Sequence, residues 1–158
     1  MSLTWNDLTI KFDHIERESL IEDWQWLVGS ALPILISSVG DAFLQTESGE
    51  IHWLITGSGE LEKVADSYED FQSKLQDNKL VNEWFLVPVV AKLKSLGVNL
   101  VDGKLYGFKQ FPVLGGEYEA ENYELTDIEV YFSMSGQIHY QIKDIPAGAQ
   151  VNFTMTEA

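Results

Sequence analysis

Apolar residues near the N-terminus recur at the spacing of an amphipathic helix, in the order Ile21, Trp24, Leu27 and Val28. Because glycine commonly ends a helix, the following Gly29 completes a pattern that predicts a helix over residues 16–28. Trp24 and Trp26 cannot both face the core from one helix, so Trp26 is the candidate for an exposed or lobe-bridging aromatic side chain. The preceding residues 5–12 fit either a short strand or an irregular lead-in.

The next residues predict a β-hairpin and two further strands. An apolar run rich in β-branched residues covers residues 33–39, and residues 41–45 and 50–55 flank the turn sequence Glu47-Ser48-Gly49 as the arms of a hairpin do. Residues 60–64 predict another short strand, after a turn that contains Gly57 and Gly59. These segments indicate a sheet made largely of antiparallel strands.

Two helices are predicted after this sheet. Ser67, with Asp70 three residues later, is typical of a helix start and predicts a helix over residues 68–76. Pro88 suits the first turn of a second helix within residues 82–97. This second helix is expected to expose Lys92 and Lys94 and to bury its apolar side chains, Val89, Val90, Leu93 and Leu96.

The C-terminal third combines two strand patterns with one ambiguous segment. Residues 105–109 predict a strand, and residues 127–133 predict a core strand in which Ile128, Val130 and Phe132 alternate with Asp127, Glu129 and Tyr131. The isoleucines at 138, 142 and 145 favour a short helix that ends before residue 146, although positions 138, 140 and 142 also alternate. The tail from residue 151 is expected to be a frayed end or an edge strand.

These elements predict the α+β fold class, with an antiparallel-rich mixed sheet packed against helices in a single compact domain, residues 1–158. A chain of this length can bury a stable core without staples. It contains no cysteine, which excludes disulfides and thiolate metal sites. No apolar run approaches the ~20 residues of a membrane span, and no signal segment opens the chain, so a cytoplasmic location is expected.

The charge of the chain is strongly negative, −15, because 25 acidic residues face 10 basic ones. Phosphate contacts need clustered Lys and Arg, so this charge argues against binding to nucleic acid or to an anionic membrane. It favours a basic protein partner, since opposite fields speed association. The alternative is that the acidity serves only to keep the protein soluble.

The histidines do not form a recognisable catalytic or metal-binding pattern. His14 lies four residues before Glu18, but a metal site needs more ligands, and His52 and His139 are far away in the sequence. The favoured role of His139 is structural, as a side chain bonded to the backbone. The sequence therefore predicts no catalytic residue, no metal site and no cofactor, and a protein that is not an enzyme.

Residues 112–136 are the stretch with the most concentrated acidity. Six carboxylates occur there without any Lys or Arg, interleaved with tyrosines and preceded by the pair Gly115-Gly116. One interpretation is a solvated connection between two elements. The other is a protein-binding surface, because tyrosine brings large rigid area to interface centres. The candidate partner-binding residues are Glu117, Tyr118, Glu119, Glu121 and Tyr123.

Several segments together resemble a known bacterial family. They are GDAFLQ, ESGEIHWL and TGSGELEKVADSYEDF within residues 40–71, NEWFLVPVVAKLKSLG over residues 82–97, and YGFKQFPVLGGEYEAENYELTDIEVYFSMSGQIHYQIKDIPAG over residues 106–148. The most specific parts are PVLGGEY and GQIHYQIKDIPAG. The family contains the C-terminal domain of type VI secretion immunity proteins that neutralise DNase effectors, and the similarity covers residues 24–148.

This resemblance implies a non-enzymatic partner-binding protein whose fold is similar to the SUKH-type immunity superfamily. In the family this domain commonly follows a GAD-like domain, so residues 1–80 would form a GAD-like lobe and residues 82–148 the C-terminal-type segment, although the N-terminal residues match less clearly. The implied partner is a toxin nuclease, whose basic cleft an acidic protein can block by imitating DNA phosphates. An enzyme, a small-ligand-binding domain and a SUKH-like regulatory scaffold are the alternatives, and the oligomeric state stays open.

Overall fold

The main element of the fold is a five-stranded antiparallel sheet in the order β1-β2-β3-β4-β5, seen in a computed structural model that describes residues 3–146. Its strands are β1 (Thr9–Ile10), β2 (Leu32–Ser37), β3 (Ala42–Gln45), β4 (Ile51–Ile55) and β5 (Glu60–Ala65). The predicted hairpin is confirmed as β3 and β4, which pair Gln45 with Ile51 across the turn. In the central strand Ala42, Phe43 and Leu44 are all completely buried. Both faces of the sheet are therefore covered at its central strand.

The N-terminal segment is divided into short pieces. Helix α1 (Trp5–Leu8) precedes β1, and the helix predicted over residues 16–28 is broken into α2 (Arg17–Leu20), a 3-10 turn (Glu22–Trp24) and α3 (Gln25–Val28). Trp24 stacks on Trp26 with their ring centroids 5.8 Å apart. Residues two apart on a continuous helix point in nearly opposite directions, so this stacking requires the break.

Helices α4 (Tyr68–Lys74), α5 (Asn78–Phe85) and α6 (Val87–Ser95) follow the sheet. Ser67 begins α4 as predicted, since its hydroxyl accepts a hydrogen bond from the Asp70 amide. The aromatic side chains of α4 and α5 surround Phe43, forming a cluster with Phe71, Trp84 and Phe85. Pro88 lies in the first turn of α6 as predicted, but the predicted burial of Leu96 is wrong. That side chain follows the end of the helix and is 55% exposed.

A second, two-stranded antiparallel sheet contains β6 (Lys104–Phe108) and β7 (Tyr123–Asp127), and it leads directly into the long helix α7 (Ile128–Ile142). The core strand predicted over residues 127–133 is therefore wrong. Val130, predicted to be buried, is 43% exposed, whereas Tyr131, predicted to lie on the opposite face, is completely buried. The buried residues of α7 recur every three to four positions, and the helix period places Tyr131 beside Phe132 in the core.

The two sheets meet where the turn between β2 and β3 approaches β6. The Tyr106 amide donates a hydrogen bond to the Ser38 carbonyl oxygen at 2.7 Å. The Tyr131 ring of α7 lies over Gly107, where a Cβ atom would approach the ring to 2.8 Å. The buried residues of both sheets form one hydrophobic cluster. The predicted α+β fold class, with antiparallel sheet packed against helices, is confirmed, while the predicted tail from residue 151 lies outside the described residues.

Candidate partner-binding surface

The acidic loop, residues 109–122 between β6 and β7, is held at its base by one side chain. The side-chain Oδ1 of Asn122 accepts a hydrogen bond from the Gln110 main-chain amide at 3.0 Å. Its Nδ2 donates to the main-chain carbonyl oxygens of Gln110 at 2.8 Å and of Glu117 at 2.9 Å. Because the Lys109 amide also donates to the Asn122 main-chain oxygen at 2.7 Å, the amide side chain continues the β6–β7 ladder into the loop.

Two glycines allow the loop to turn back on this base. Gly115 has a φ of +100°, a conformation that residues with a Cβ rarely adopt. A Cβ atom on Gly116 would overlap the carbonyl oxygen of Gln110. The turn is closed by the Gly116 amide, which donates to the Phe111 carbonyl oxygen at 3.0 Å. The main chain that carries the carboxylates is therefore fixed at both ends.

The three predicted carboxylates of the loop point to solvent. Glu117, Glu119 and Glu121 are exposed, and within residues 3–146 no ion pair involves any of them. The sequence contains no Lys or Arg from Gln110 to Ile142, so no cation of the same segment neutralises them. The loop presents uncompensated negative charge on a fixed backbone.

Tyr118 is the aromatic member of this surface, and it is anchored without being covered. Its side chain is 45% exposed, while its ring meets the Phe108 ring edge-on at 5.5 Å between centroids. A Cβ atom on Gly57 would lie 2.8 Å from the Tyr118 hydroxyl oxygen, so the turn after β4 supports the phenol. Burial, with the negative charges of Asp41 and Glu60, raises the pKa of Tyr118. The phenol is therefore neutral at physiological pH.

The structure separates Tyr123 from the other predicted members, and its predicted place on the surface is wrong. Tyr123 is only 3% exposed, and its ring packs at 4.7 Å from the Phe108 centroid. It is the first residue of β7, where successive side chains alternate between the two faces of the sheet, and its face is the inner one. Burial raises the pKa of its hydroxyl well above the usual range.

A second cluster of polar groups lies in the interior, and no local sequence pattern predicts it. Asp41 is 6% exposed, and its Oδ1 accepts hydrogen bonds from the Thr56 amide at 3.0 Å and the Thr56 hydroxyl at 3.1 Å. The Tyr131 hydroxyl lies 2.9 Å from that Thr56 hydroxyl, and His139 Nε2 donates to the Thr56 carbonyl oxygen at 2.8 Å. Burial raises the pKa of Asp41 to about 7, against the opposing effect of the two bonds from Thr56.

This interior cluster connects three parts of the fold. It joins the turn before β3, the turn after β4 and α7 through buried side chains. His139 has the structural role predicted for it, since it bonds a backbone carbonyl and packs against the Trp24 ring at 5.4 Å. Desolvation by burial lowers the pKa of His139, which favours the neutral imidazole.

Trp26, the predicted exposed or bridging aromatic residue, spans two elements. Its Nε1 donates to the Asp23 carbonyl oxygen at 2.9 Å, and its ring meets the Tyr140 ring of α7 at 5.8 Å. A surface groove of about 430 Å³ lies beside this aromatic pair and is also lined by Glu22.

The remaining two histidines lie in different parts of the structure. His52 lies 3.2 Å from Glu50 on the surface of β4, and His14 lines an open cleft of about 620 Å³ between β1 and the loop before β6. The one hydroxyl in that cleft, on Thr9, donates to the Trp5 carbonyl oxygen at 2.7 Å. Within residues 3–146, no three His, Asp or Glu side chains gather closely enough to hold a metal ion. None of the helices in this range is long and apolar enough to cross a membrane.

Part of the chain is similar to the immunity proteins of type VI secretion. Residues 65–139 match the family described as T6SS immunity protein Tdi1, C-terminal. The matched range begins at the last residue of β5 and ends in α7, so it contains the whole acidic loop. The resemblance to type VI secretion immunity proteins is thereby confirmed over this range, and it supports a toxin-neutralising role in general. No curated protein matches the chain.

Proposed function

We propose that this protein neutralises a toxin nuclease in the cytoplasm by binding a basic surface of the toxin through Glu117, Tyr118, Glu119 and Glu121. The observation that carries the proposal is the exposed, unpaired state of three carboxylates on a fixed loop within the family-matched range. A nuclease holds DNA phosphates in a basic cleft, and carboxylates on a rigid support can occupy the same cleft. The protein acts by occlusion, without catalysis of its own.

The carboxylates and the tyrosine contribute to different steps of binding. Exposed charges at the rim of an interface mainly accelerate encounter with an oppositely charged partner, and salt screens this effect. A half-buried aromatic ring near the centre mainly slows dissociation. Tyr118 suits that part because Phe108 and the Gly57 turn already fix its orientation, so little rotamer freedom is lost on binding.

The test uses a toxin nuclease that co-purifies with this protein from its native cytoplasm and measures association and dissociation rates at several salt concentrations. Replacing Glu117, Glu119 and Glu121 by Gln should slow association by roughly tenfold at low salt and flatten the salt dependence. The matched control replaces three scattered exposed carboxylates, Glu16, Glu47 and Glu62, by Gln and so makes the same change in net charge. The control should slow association much less, because its charges lie away from the loop.

The second variant, Tyr118→Ala, should accelerate dissociation by about 5–150-fold, which corresponds to the 1–3 kcal/mol of an interface hot spot. Protection of cells against the nuclease should weaken in the same order. The proposal is wrong if the triple-Gln protein associates as fast as the wild type at both low and high salt. It is also wrong if the scattered-charge control slows association equally.

A further inference from the structure

The outer edge of β7 carries backbone groups that no element of the described structure pairs. At the two ends of the β6–β7 ladder, the Lys109 amide donates to the Asn122 carbonyl oxygen and the Ile128 amide donates to the Gly103 carbonyl oxygen. Opposed residues of an antiparallel pair alternate between bonded and non-bonded positions. Residues 124 and 126 are therefore bonded to β6, and Leu125, opposite Tyr106, is not.

The direction of the Tyr106 amide confirms this assignment. It points away from β7 and donates to the Ser38 carbonyl oxygen at 2.7 Å. In a non-bonded pair both residues direct their backbone groups outward, so the Leu125 N–H and C=O point away from β6 on the opposite side. Among residues 3–146, neither group has a hydrogen-bond partner. The Leu125 side chain is 36% exposed, and its neighbour Glu124 is also exposed.

The outer strand of the large sheet differs from β7 in this respect. In β5 the Val64 carbonyl oxygen accepts a hydrogen bond from Lys74 Nζ at 2.7 Å, and α4 packs against the strand. Natural proteins commonly protect open edges in this way, because an unpaired strand edge is a template for another strand. Within residues 3–146 the β7 edge has no such cover, and β7 directly follows the acidic loop.

We propose that an extended segment of the basic partner pairs with β7 as an added strand, with Lys or Arg side chains directed toward Glu124 and the acidic loop. This inference rests on the proposed function and specifies how the partner binds. Charge decides between the two candidate occupants. A second copy of this chain would place its own Glu124 and its own acidic loop against the same groups, whereas a basic strand would neutralise them.

The added strand can form several main-chain hydrogen bonds. One residue of it can exchange two bonds with Leu125, and the Tyr123 carbonyl oxygen and the Asp127 amide lie two residues away on the same edge. The Tyr123 amide is excluded, since it donates to the Ala120 carbonyl oxygen. Five residues of strand cover roughly 17 Å, so the segment would reach the base of the acidic loop. Backbone pairing would supply affinity, and the carboxylates would select basic sequences.

The test uses a capped seven-residue peptide of alternating valine and lysine, with a control peptide of the same composition and proline at its centre. Amide chemical shifts and hydrogen exchange of the full chain report where each peptide binds. Leu125→Pro removes the outward N–H, and an edge strand tolerates this because that N–H does not bond β6. Leu125→Ala keeps the N–H and removes the side chain. Thermal unfolding of both variants verifies that they fold.

We expect the valine–lysine peptide to shift and protect the amides at 125 and 127, and the proline peptide to bind at least about tenfold more weakly. Leu125→Pro should lose at least about tenfold in affinity, and Leu125→Ala less than about threefold. Equal binding to Leu125→Pro, no binding to the wild type, or a dimer of the chain that Leu125→Pro abolishes would each overturn the strand proposal. Such results leave the triple-Gln test of the acidic loop unaffected.

Discussion

The two sheets of this protein are built in opposite ways. In the five-stranded sheet, the central strand is buried on both faces. Its Phe43 ring packs against four other aromatic rings, those of Trp53, Phe71, Trp84 and Phe85. The two-stranded sheet has an inner strand whose residues are mostly buried and an outer strand, β7, that exposes Glu124 and Leu125. Both sheets contribute buried side chains to one core, but the second consists only of a buried strand and a largely exposed one.

This difference shows where such a fold can present a binding surface. The central strand of the large sheet has no exposed side chains to offer, whereas the outer strand of the short sheet presents both carboxylates and unpaired backbone groups within residues 3–146. The attachment is made by Tyr131 over Gly107 and by the interior cluster around Asp41. The following predictions test how far the second sheet depends on these supports.

The largest expected effect concerns the two neighbouring side chains Phe132 and Val130 of α7. Phe132→Ala should lower the free energy of unfolding by about 3–5 kcal/mol, because the ring is completely buried in the helix that supports the second sheet. Val130→Ala should cost less than about 1 kcal/mol, since that side chain is 43% exposed. Urea denaturation measures both. Equal, large losses would indicate a strand, in which the two side chains share a face.

The next effect is a pH dependence at the junction of the two sheets. The pKa of Asp41 is about 7 in the folded protein and has its ordinary value of 3.8 when unfolded. Between these values the unfolded chain releases a proton that the folded protein keeps, so this carboxyl makes stability fall as pH rises from about 4 to 7. Relative to Asp41→Asn, the wild type should lose up to about 4 kcal/mol across that window.

Comparison with Asp41→Asn isolates this titration from the other carboxylates. A hydrogen bond from Lys94 lowers the pKa of Asp7, and one from the Asp66 amide lowers the pKa of Asp70. Both carboxylates are present in the wild type and in the variant, so their effects on stability cancel when the two proteins are compared. Urea unfolding at several pH values between 4 and 8 measures the difference. A constant difference would show that the junction does not hold a protonated Asp41.

A smaller effect is expected at the base of the acidic loop. Asn122→Ala removes three side-chain hydrogen bonds and should lower stability by about 1–2 kcal/mol, with faster amide exchange in residues 110–118. Asn99→Ala is the matched control, because Asn99 makes a single bond of 3.4 Å in an exposed loop. If both variants behave alike, Asn122 does not hold the loop.

The smallest effect is expected for the surface ion pair that joins β6 and β7. Lys104→Gln should cost less than about 1 kcal/mol, because both Lys104 and its partner Asp127 are well exposed and salt screens the pair. Lys92→Gln, at an exposed site with no ion pair in the described part of the chain, should cost nothing measurable. A loss of several kcal/mol for Lys104→Gln would mean that the second sheet depends on charge more than on α7.

The first sheet could be predicted from the sequence because its signals are local. The hairpin arms lie on either side of a short turn, and the Ser67 start of α4 depends on residues three apart. The second region was harder because Ile128, Val130 and Phe132 match the period of two of a strand, whereas only Ile128 and Phe132 share a face of the helix that forms. The burial of Tyr131 and the exposure of Val130 show that the segment is a helix, and neither property can be deduced from the neighbouring residues in the sequence.

The candidate surface, too, could be predicted from the sequence only where the signal was local. The exposure of Glu117, Glu119 and Glu121 followed from their density in a segment without cations. The burial of Tyr123 depends on where β7 begins, and the strand was predicted to start four residues later. The interior cluster joins Asp41 to Thr56 and Tyr131, which lie 15 and 90 positions after Asp41 in the sequence. Only the folded arrangement brings these groups together.

The way Asn122 closes the acidic loop has a consequence for how such proteins diversify. Asn122 holds the loop through main-chain atoms of Gln110 and Glu117, so none of its hydrogen bonds depends on the side chains at positions 117, 119 and 121. Those three positions are free to mutate without loss of the fold, while Gly116 and Asn122 are constrained. A lineage could therefore change these three positions one residue at a time, and a library randomised at them should consist mainly of folded proteins.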